Sequence, residues 1–441
     1  MQGIGFVDKF HAMEMKYGLF DYSGEDPYWD IVRYSVFCKQ YMDANARVQI
    51  ENRVILHHWK ELLLVAKCLL VLIWKMTFCR YKHLILTNSR NKFFEKDGYW
   101  YDSIAYPIIR QYQDILCMDM YFAQKTPYPK VLDFSNIVIR TMHGDYMPRE
   151  LYDKINTALQ STFGENKITY DELNTVVKAY YGQLKFYRVV MKVLKPQNVI
   201  VSRGNPKAIV KACQERNVPC VLLQHESIEK DEINWSYPPG ITRNSNILFP
   251  YYAAMFGSYW GKNINAPVGK YIYIGSDEKY EKLDVPCDDS FCVISSIIHG
   301  VILKQLVREL ASERQDLKFV YKMHPNEFHL KEEYVRFFER QDNVRVVSTE
   351  VSTPEVIARS RCVIAIVSGC VYEALHAGKR VGIYKRLNYE RQLALLPNDN
   401  LFFFDGVEDF LTQYDKPVTE LKESYYMPFN RENCDSMMNL K

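Results

Sequence analysis

Between residues 290 and 385, short apolar strands alternate with helical segments, and this alternation constrains the fold more than any other feature. Strands joined in this way lie parallel, because a parallel pair needs a long crossover connection that a helix supplies. The pattern therefore predicts a parallel sheet with helices on both faces. Its predicted strands are 291–294, 318–321, 343–347, 362–367 and 380–384.

The first half of the chain contains a unit of the same kind. Strands 198–202 and 220–224 flank a helical segment, 207–216, which places the turns after both strands at one edge of a sheet. Segment 136–139 has the apolar character of a further strand, and 170–194 has helical periodicity. Since 441 residues are too many for one ordinary core, we expect two α/β domains.

A charged stretch that contains one proline, 277–289, marks the boundary between these domains. We predict an N-terminal domain over 1–276, which begins with a helical extension, and a C-terminal domain over 290–385. Residues 386–441 are predicted to form a helical tail that packs back towards the N-terminal domain.

Composition and charge exclude several classes of protein. Charged residues make up 25% of the chain and the formal net charge is +3, which gives no reason to expect a nucleic-acid partner. The 11 cysteines include no C-x-x-C pair, a usage typical of a reducing compartment rather than of a disulfide framework. The opening residues lack the basic and apolar regions of a signal peptide, so we expect a cytoplasmic location.

One segment, 62–74, raises the question of a membrane. Its apolar run is about thirteen residues long and contains Lys67, whereas a spanning helix needs about twenty apolar residues. A helix buried against the first domain explains the run. A helix that lies on the inner face of the membrane explains it as well, since several lysines are nearby, and the sequence leaves both interpretations open.

Two predicted strands of the second domain lead into turns whose side chains suit an anion. The first turn consists of Lys322, Met323, His324 and Pro325. Because the proline keeps the preceding residue out of a helix, His324 is held at the end of a strand. There its imidazole can donate to a phosphate oxygen, and Lys322 can add positive charge. A histidine that caps the strand and binds a backbone carbonyl is the alternative.

The second turn contains Ser368 and Gly369, ahead of a short helix that carries Glu373. The glycine lets backbone approach a phosphate closely, the serine can donate to it, and the carboxylate can accept hydrogen bonds from a ribose. An ordinary helix start with a solvated glutamate is the alternative. Ser295 and Ser296 follow the domain's first strand and form either a third wall of the phosphate pocket or a simple turn.

The first domain offers candidates for a general base. His225 follows a predicted strand, titrates near neutral pH and has Glu226 beside it to orient the ring. Asp102 and Asp145 are rival bases, and all four residues also fit structural or surface roles. The sequence shows no Asp-x-Asp at a strand end, no zinc-ligand spacing and no dinucleotide or Walker glycine loop, so neither a metal nor NAD or ATP is expected.

These motifs resemble those of GT-B glycosyltransferases that build bacterial surface polysaccharides, and the similarity is closest to the His-Pro class. That class includes capsular polysialyltransferases, Kdo transferases and teichoic-acid glycerophosphotransferases. The resemblance covers about residues 195–385. It rests on Lys322 to Pro325, Ser368 and Gly369, Glu373 to Leu375, Gly378 and Lys379, Gln224 and His225, a strand over 247–250, Phe256 and Gly257, and Ile274 to Ser276.

The resemblance implies two Rossmann-like domains that face each other across a cleft, with the donor nucleotide held by the C-terminal domain and the acceptor by the N-terminal domain. It implies a metal-independent, inverting transfer from a CMP- or UDP-linked sugar to an oligosaccharide or lipid-linked glycan of a capsule, an O-antigen or a similar polymer. By position, His324 and Ser368 would bind phosphate, Glu373 would bind the ribose or base, and His225 would be the general base.

The sequence departs from the class at two positions. Glu226 stands where glycine is usual, and Gly369 stands where serine or threonine is usual. The turn at Ser368 is also similar to the Ser-Gly-Gly turn of UDP-N-acetylglucosamine 2-epimerases, which share the GT-B fold. Two hypotheses therefore accompany the transferase: a nucleotide-sugar epimerase, and a non-catalytic partner in polysaccharide assembly.

Overall fold

Two parallel β-sheets, one of seven strands and one of six, form the framework of the computed structural model. It describes residues 4–41, 70, 73–74, 81–87, 92–94, 98–119, 125–204, 206–229, 232–262 and 264–440. Each sheet has helices packed on it and forms one Rossmann-like domain, and the two domains together have the GT-B arrangement. The fold class predicted from the sequence is confirmed.

The N-terminal domain is built on the seven-stranded sheet, in which all neighbouring strands are parallel. A separate antiparallel hairpin joins the second and third strands of the chain. The strands are β1 His83–Leu86, β2 Lys92–Phe94, β3 Trp100–Asp102, β4 Ile115–Asp119, β5 Lys130–Leu132, β6 Asn198–Val201, β7 Cys220–Leu223, β8 Tyr252–Met255 and β9 Lys270–Tyr273. Their order in the sheet is β5-β4-β1-β6-β7-β8-β9.

Alternate residues of the central strands enter two different hydrophobic cores, one on each face of this sheet. In β1, Leu84 and Leu86 belong to one core and Ile85 to the other, as the two-residue period of a strand requires. The helices of this half of the chain are Ile4–Lys16, Tyr28–Tyr41, Tyr106–Ile109, Ser135–Arg140, Arg149–Phe163, Tyr170–Leu194, Lys207–Gln214, Ser258–Lys262 and Asp277–Tyr280.

The longest helix of the described residues, Tyr170–Leu194, begins and ends where its sequence signals predict. At its start the side chain of Thr169 accepts the N–H of Glu172, and the Glu172 carboxylate accepts the N–H of Thr169. This reciprocal pair satisfies amide groups that the first turn leaves without helical partners. The helix ends at Lys195, which adopts a left-handed conformation with φ 48°.

The C-terminal domain is built on the six-stranded sheet, which is also entirely parallel. Its strands are β10 Ser290–Ile294, β11 Phe319–Lys322, β12 Val344–Val347, β13 Ser360–Ala365, β14 Arg380–Tyr384 and β15 Leu401–Phe404, in the order β12-β11-β10-β13-β14-β15. Its helices are Gly300–Glu313, Lys331–Phe337, Thr353–Arg359, Cys370–His376 and Val407–Gln413, with 3₁₀ helices at Pro325–Leu330 and Tyr389–Leu395. All five strands predicted between 290 and 385 are present.

Two strands expected from the sequence are wrong. Segment 136–139 belongs to the helix Ser135–Arg140, and the Asp133 carboxylate accepts the N–H of Ser135 at its start, at 2.9 Å. Segment 247–250 is irregular, because the N–H of Leu248 donates to the Asp30 carboxylate at 2.7 Å instead of to a neighbouring strand. The strand in this region is β8, which begins two residues later.

The predicted tail over 386–441 divides into two parts with different positions. Leu401–Phe404 is not a tail but the sixth strand of the second sheet, paired with β14, and Val407–Gln413 packs beside it. Beyond residue 424 the chain returns to the N-terminal domain, where Met427 N–H donates to Phe256 O at 2.9 Å. A final helix, Arg431–Met438, buries Cys434 and Met437 in the core beneath β1 and β6. An apolar run of four residues is ambiguous in sequence, which explains the missed strand.

The N-terminal helices are fastened to the sheet domain by a buried ion pair. The Arg33 guanidinium donates to the Glu14 carboxylate, with Nη2 at 3.0 Å, and also to the backbone carbonyls of Ile233 and Ser236. The side chains of both partners are buried, at 3% and 0% exposure. His11 adds a bond to Ser236 O at 3.3 Å. The pair therefore connects both N-terminal helices to one loop of the domain.

We expect His11 to make the stability of the chain depend on pH. Burial, helped by the charge of Arg33, lowers the pKa of His11 from 6.5 to about 4. Between these pH values the unfolded chain binds the proton and the folded chain does not, so stability falls as the pH falls. The free energy of unfolding lost through His11 is about 3 kcal/mol near pH 4. Urea unfolding between pH 7 and pH 4 measures it, and an equal pH slope in His11→Gln contradicts the prediction.

Among the described residues, no helix is both long and apolar enough to cross a membrane. Of the segment 62–74, only Leu70, Ile73 and Trp74 lie within the described residues, and all three side chains are exposed. The rest of the predicted membrane-surface helix lies outside them.

Candidate functional site

The strand order of the second sheet reverses at β10, and this reversal creates a crevice. From β10 the chain proceeds to β11 and β12 on one side, and then returns to β13 on the other side of β10. Loops that leave β10 and β13 diverge at such a point, and ligands of open α/β sheets bind there, beyond the carboxyl ends of the strands. The predicted donor residues follow β10, β11 and β13, so the topology places all three turns at this edge.

His324 lies at the end of β11 with one ring nitrogen already engaged. Its Nδ1 accepts the N–H of Asn326 at 3.2 Å, and the Glu327 carboxylate accepts the N–H of His324 at 3.1 Å. Because Nδ1 accepts, the neutral ring carries its hydrogen on Nε2, where it can donate to an anion. Pro325 is exposed and begins the 3₁₀ helix Pro325–Leu330.

Lys322 has a different position from the phosphate-facing one that the sequence predicted. Its ammonium donates to the carbonyls of Ser348 and Val351, the second at 2.7 Å, and it is 6% exposed. Burial lowers its pKa, and Glu350 opposes the shift. Lys322 therefore holds the loop after β12 in place, because its ammonium donates to the backbone carbonyls of that loop.

The two serines after β10 are bonded within the protein. Ser295 is buried and shares a hydrogen bond with the Tyr321 hydroxyl at 3.0 Å. Ser296 Oγ donates to His299 Nδ1 at 2.8 Å, and His299 Nε2 donates to the carbonyl of Leu387 at 2.8 Å. These bonds match the turn interpretation, and they connect the loop after β10 to the segment after β14.

At the turn after β13, Ser368 is held by a local hydrogen bond and Glu373 by an ion pair with a distant residue. Ser368 Oγ accepts the N–H of Cys370 at 3.2 Å, which positions the start of the helix Cys370–His376. Glu373 Oε1 lies 2.5 Å from Lys279 Nζ. Burial lowers the pKa of Lys279 and the Glu373 carboxylate raises it, with a net rise. Lys279, from the connection between the domains, was not recognised in the sequence.

On the N-terminal domain, Gln224 fixes the loop that carries the candidate base. Its side chain is fully buried, its Oε1 accepts the N–H of Phe256 at 2.9 Å, and its Nε2 donates to the Glu226 carbonyl at 3.1 Å. These bonds tie the loop after β7 to the loop after β8. We call residues 224–229 the base loop.

His225 is arranged as a neutral imidazole with an available lone pair. Its Nδ1 donates to the Leu223 carbonyl at 3.2 Å, so Nε2 carries no hydrogen in the neutral ring. Burial lowers its pKa, while the Leu223 carbonyl and the charge of Asp102 oppose that shift. Nε2 lies 3.7 Å from Glu226 Oε1, whose side chain is half exposed. The arrangement can accept a proton at Nε2.

The two rival bases have different surroundings. Asp102 ends β3 with no exposed surface, and its Oδ1 accepts the N–H groups of Ile104 and Ala105 at 3.0 Å each. Its charge still acts on His225, so it lies in the electrostatic neighbourhood of that ring. Asp145 is exposed and pairs with Arg149 at 3.2 Å.

The base loop and the turn that contains Ser368 and Gly369 are in contact. A Cβ atom built on Gly369 would lie 2.6 Å from Ser227 Oγ, closer than real contacts allow. The backbone of Gly369 has φ −59°, which any residue can adopt, so a larger side chain here would only require the Ser227 hydroxyl to move. Ser227 lies two residues after His225 and Gly369 directly follows Ser368, so this contact joins the two segments that carry these candidates.

No protein-family model matches the chain, and no curated protein matches it. Solved structures of similar fold include a UDP-GlcNAc 2-epimerase from Methanocaldococcus jannaschii, at 12% identity and a TM-score of 0.46, with 80% of this chain and 97% of that chain covered. The UDP-GlcNAc 2-epimerase of Neisseria meningitidis, bound to UDP-GlcNAc, has 13% identity and a TM-score of 0.43, with coverages of 81% and 97%. MurG from Acinetobacter baumannii has 10% identity and a TM-score of 0.38, with coverages of 73% and 86%. At these values the similarity concerns the fold.

Proposed function

We propose that the chain is a glycosyltransferase that moves a sugar from a nucleotide-activated donor to a bacterial surface glycan. The observation that carries the proposal is the contact between Ser227 and Gly369. It brings a loop with a neutral imidazole against a turn at the crevice of the other sheet, where an anion is expected to bind. A transferase needs this combination, because a base must act on the acceptor while the donor loses its phosphate.

In the proposed reaction, His225 Nε2 removes the proton from an acceptor hydroxyl as that oxygen attacks the anomeric carbon. The bond from this carbon to the nucleotide phosphate breaks, and the phosphate leaves with the bonding electrons. His324 Nε2–H and the Ser368 hydroxyl donate to the leaving oxygens, and Glu373 accepts from the ribose or base. Asp102 and Glu226 stabilise the imidazolium that His225 becomes. Positioned donors of this kind stabilise a leaving anion without a bound cation.

The donor is proposed to be a CMP- or UDP-linked sugar, and the acceptor an oligosaccharide or lipid-linked glycan. The exposed side chains of Leu70, Ile73 and Trp74 support a location at the inner membrane face for an enzyme with a lipid-linked acceptor. They do so because exposed large apolar groups are costly in water and favourable at a bilayer surface.

An epimerase on a nucleotide sugar is the second candidate, and the acidic groups near His225 favour it. Glu226 lies within 3.7 Å of Nε2, and Asp102 acts on the same ring. Removal and return of a proton on a sugar carbon requires several acid–base groups in one cleft.

Nucleotide binding is the first test of the proposal. We expect CMP or UDP to raise the melting temperature in a panel that also contains GDP, dTDP and CDP-glycerol. A nucleotide at a hundred times its dissociation constant adds about 2.7 kcal/mol of stability. His324→Ala should weaken this shift, whereas His329→Ala, at an exposed histidine of the 3₁₀ helix that follows His324, should not. Absence of any nucleotide effect contradicts the proposal and favours a non-catalytic partner.

The protein is then incubated in D₂O with sugars linked to the nucleotide that binds, and this distinguishes the two candidate enzymes. An epimerase exchanges a carbon-bound hydrogen for solvent deuterium without an acceptor, and mass spectrometry of the recovered sugar detects it. A transferase leaves that hydrogen in place and releases nucleotide only when an acceptor or water takes the sugar. Deuterium in the recovered substrate contradicts the transferase.

A further inference from the structure

Glu229, four residues beyond His225, reaches across the interface between the domains. Its side chain is 6% exposed, and its Oε1 accepts a hydrogen bond from Gln392 Nε2 at 3.1 Å. Its Oε2 lies 2.7 Å from Arg391 Nε. Both partners belong to the 3₁₀ helix Tyr389–Leu395, which follows β14 of the C-terminal domain. The end of the base loop is therefore fastened to the other domain by an ion pair and a hydrogen bond.

The segment that holds Glu229 is itself bonded to a loop at the crevice. His299 connects Ser296 to the Leu387 carbonyl through its two ring nitrogens, each at 2.8 Å. Leu387 lies two residues before the 3₁₀ helix that contains Arg391. A continuous set of contacts thus runs from the loop after β10, through the segment after β14, to the base loop.

Among the described residues, the base loop meets the C-terminal domain at Ser227 and at Glu229. The contact at Ser227 is a close approach to Gly369, so it limits the distance between the two segments. The contact at Glu229 supplies the attraction, because a largely buried carboxylate is costly unless it is paired. Gln392 is fully buried and would lose its acceptor if Glu229 were removed.

We propose that Glu229 is a positioning residue for the transfer: paired with Arg391 and Gln392, it holds the base loop, and with it His225, in a fixed position relative to the turn that contains Ser368. This inference rests on the proposed function. The donor residues His324, Ser368 and Glu373 all belong to the C-terminal domain, so loss of the pairing leaves the nucleotide site intact. It shifts His225 relative to that site, and a displacement of about 1 Å costs on the order of 100-fold in rate.

Three variants test the role of Glu229: Glu229→Gln, Arg391→Met and the double variant. We expect each single variant to lower kcat on the order of 100-fold while the dissociation constant of the nucleotide and the KM for the donor are unchanged. Because the two side chains act as a unit, the double variant should be no slower than either single variant. Arg391→Met keeps an apolar stem at a partly exposed position, so it tests the pairing even if Glu229→Gln folds poorly.

The control is Glu333→Gln, which removes a carboxylate that pairs with Lys304 at 3.0 Å on the surface of the C-terminal domain. Its kcat should equal that of the unmodified chain. Variants whose kcat per folded molecule is unchanged would show that Glu229 is only structural. If the unmodified chain turns over no donor, the proposed function is contradicted, and the positioning role with it. If the unmodified chain is active and Arg391→Met has the same kcat, only the positioning role is contradicted.

Discussion

Substitution of His225 by alanine is expected to lower kcat by about 10²- to 10⁴-fold, the contribution typical of a general base. The nucleotide should bind as before, because the donor residues lie on the other domain. His225 is the candidate whose geometry suits the task, since its Nδ1 donates to Leu223 O and leaves the Nε2 lone pair available. Turnover and nucleotide affinity measured on one preparation give both quantities.

The pH profile of kcat adds a second readout for His225. A base must be unprotonated, so kcat should fall as the pH drops below the pKa of His225, which burial lowers from its ordinary value. Asp102→Asn removes a charge that raises this pKa, and should move the acidic limb of the profile to lower pH. His143→Ala, which replaces an exposed histidine of the same domain, is the matched control and should leave kcat unchanged. A His225→Ala variant that retains full turnover would remove this residue from the role of base.

The candidate donor turns could be predicted from sequence because their signals are local. His324 and Ser368 each follow a strand, which places them at an edge of a sheet. Because both strands belong to one parallel sheet, the two residues lie at the same edge. Lys322 shows the limit of the approach, because its partners are the carbonyls of Ser348 and Val351, and no pattern in the sequence marks a backbone acceptor.

The contacts between distant segments could not be predicted. Glu229 and Gln392 are separated by 163 residues, and Lys279 and Glu373 by 94. Each pair joins ordinary polar residues in loops or short helices, and periodicity does not say which polar side chains meet after folding.

Replacement of Arg33 by methionine is expected to lower the free energy of unfolding by about 3–5 kcal/mol. The substitution keeps most of the side-chain volume but leaves the Glu14 carboxylate buried without its cation. It also removes the donors that satisfy the carbonyls of Ile233 and Ser236, which lie in a loop some 200 residues away in sequence. Equilibrium urea unfolding at pH 7 measures the change, with the slope m compared between variants.

A surface pair provides the control for Arg33. Arg149→Met breaks the ion pair with Asp145, whose partners are both more than half exposed, and should cost no more than about 1 kcal/mol. The double variant Glu14→Gln/Arg33→Met should recover part of the loss, because it no longer buries an unpaired charge. If Arg33→Met is as mild as Arg149→Met, the buried pair does not fasten the N-terminal helices.

The return of the chain end to the first domain has a consequence for protein synthesis. Asn198 Nδ2, at the start of β6, donates to the carbonyls of Met437 and Met438, which the ribosome adds about 240 residues later. Until they emerge, the apolar face around Ile85 and Ile200 lacks the part of its cover that Cys434, Met437 and Met438 provide. The six-stranded sheet comes from one uninterrupted stretch of chain and has no such delay. The domain that is translated first is thus the last to be completed.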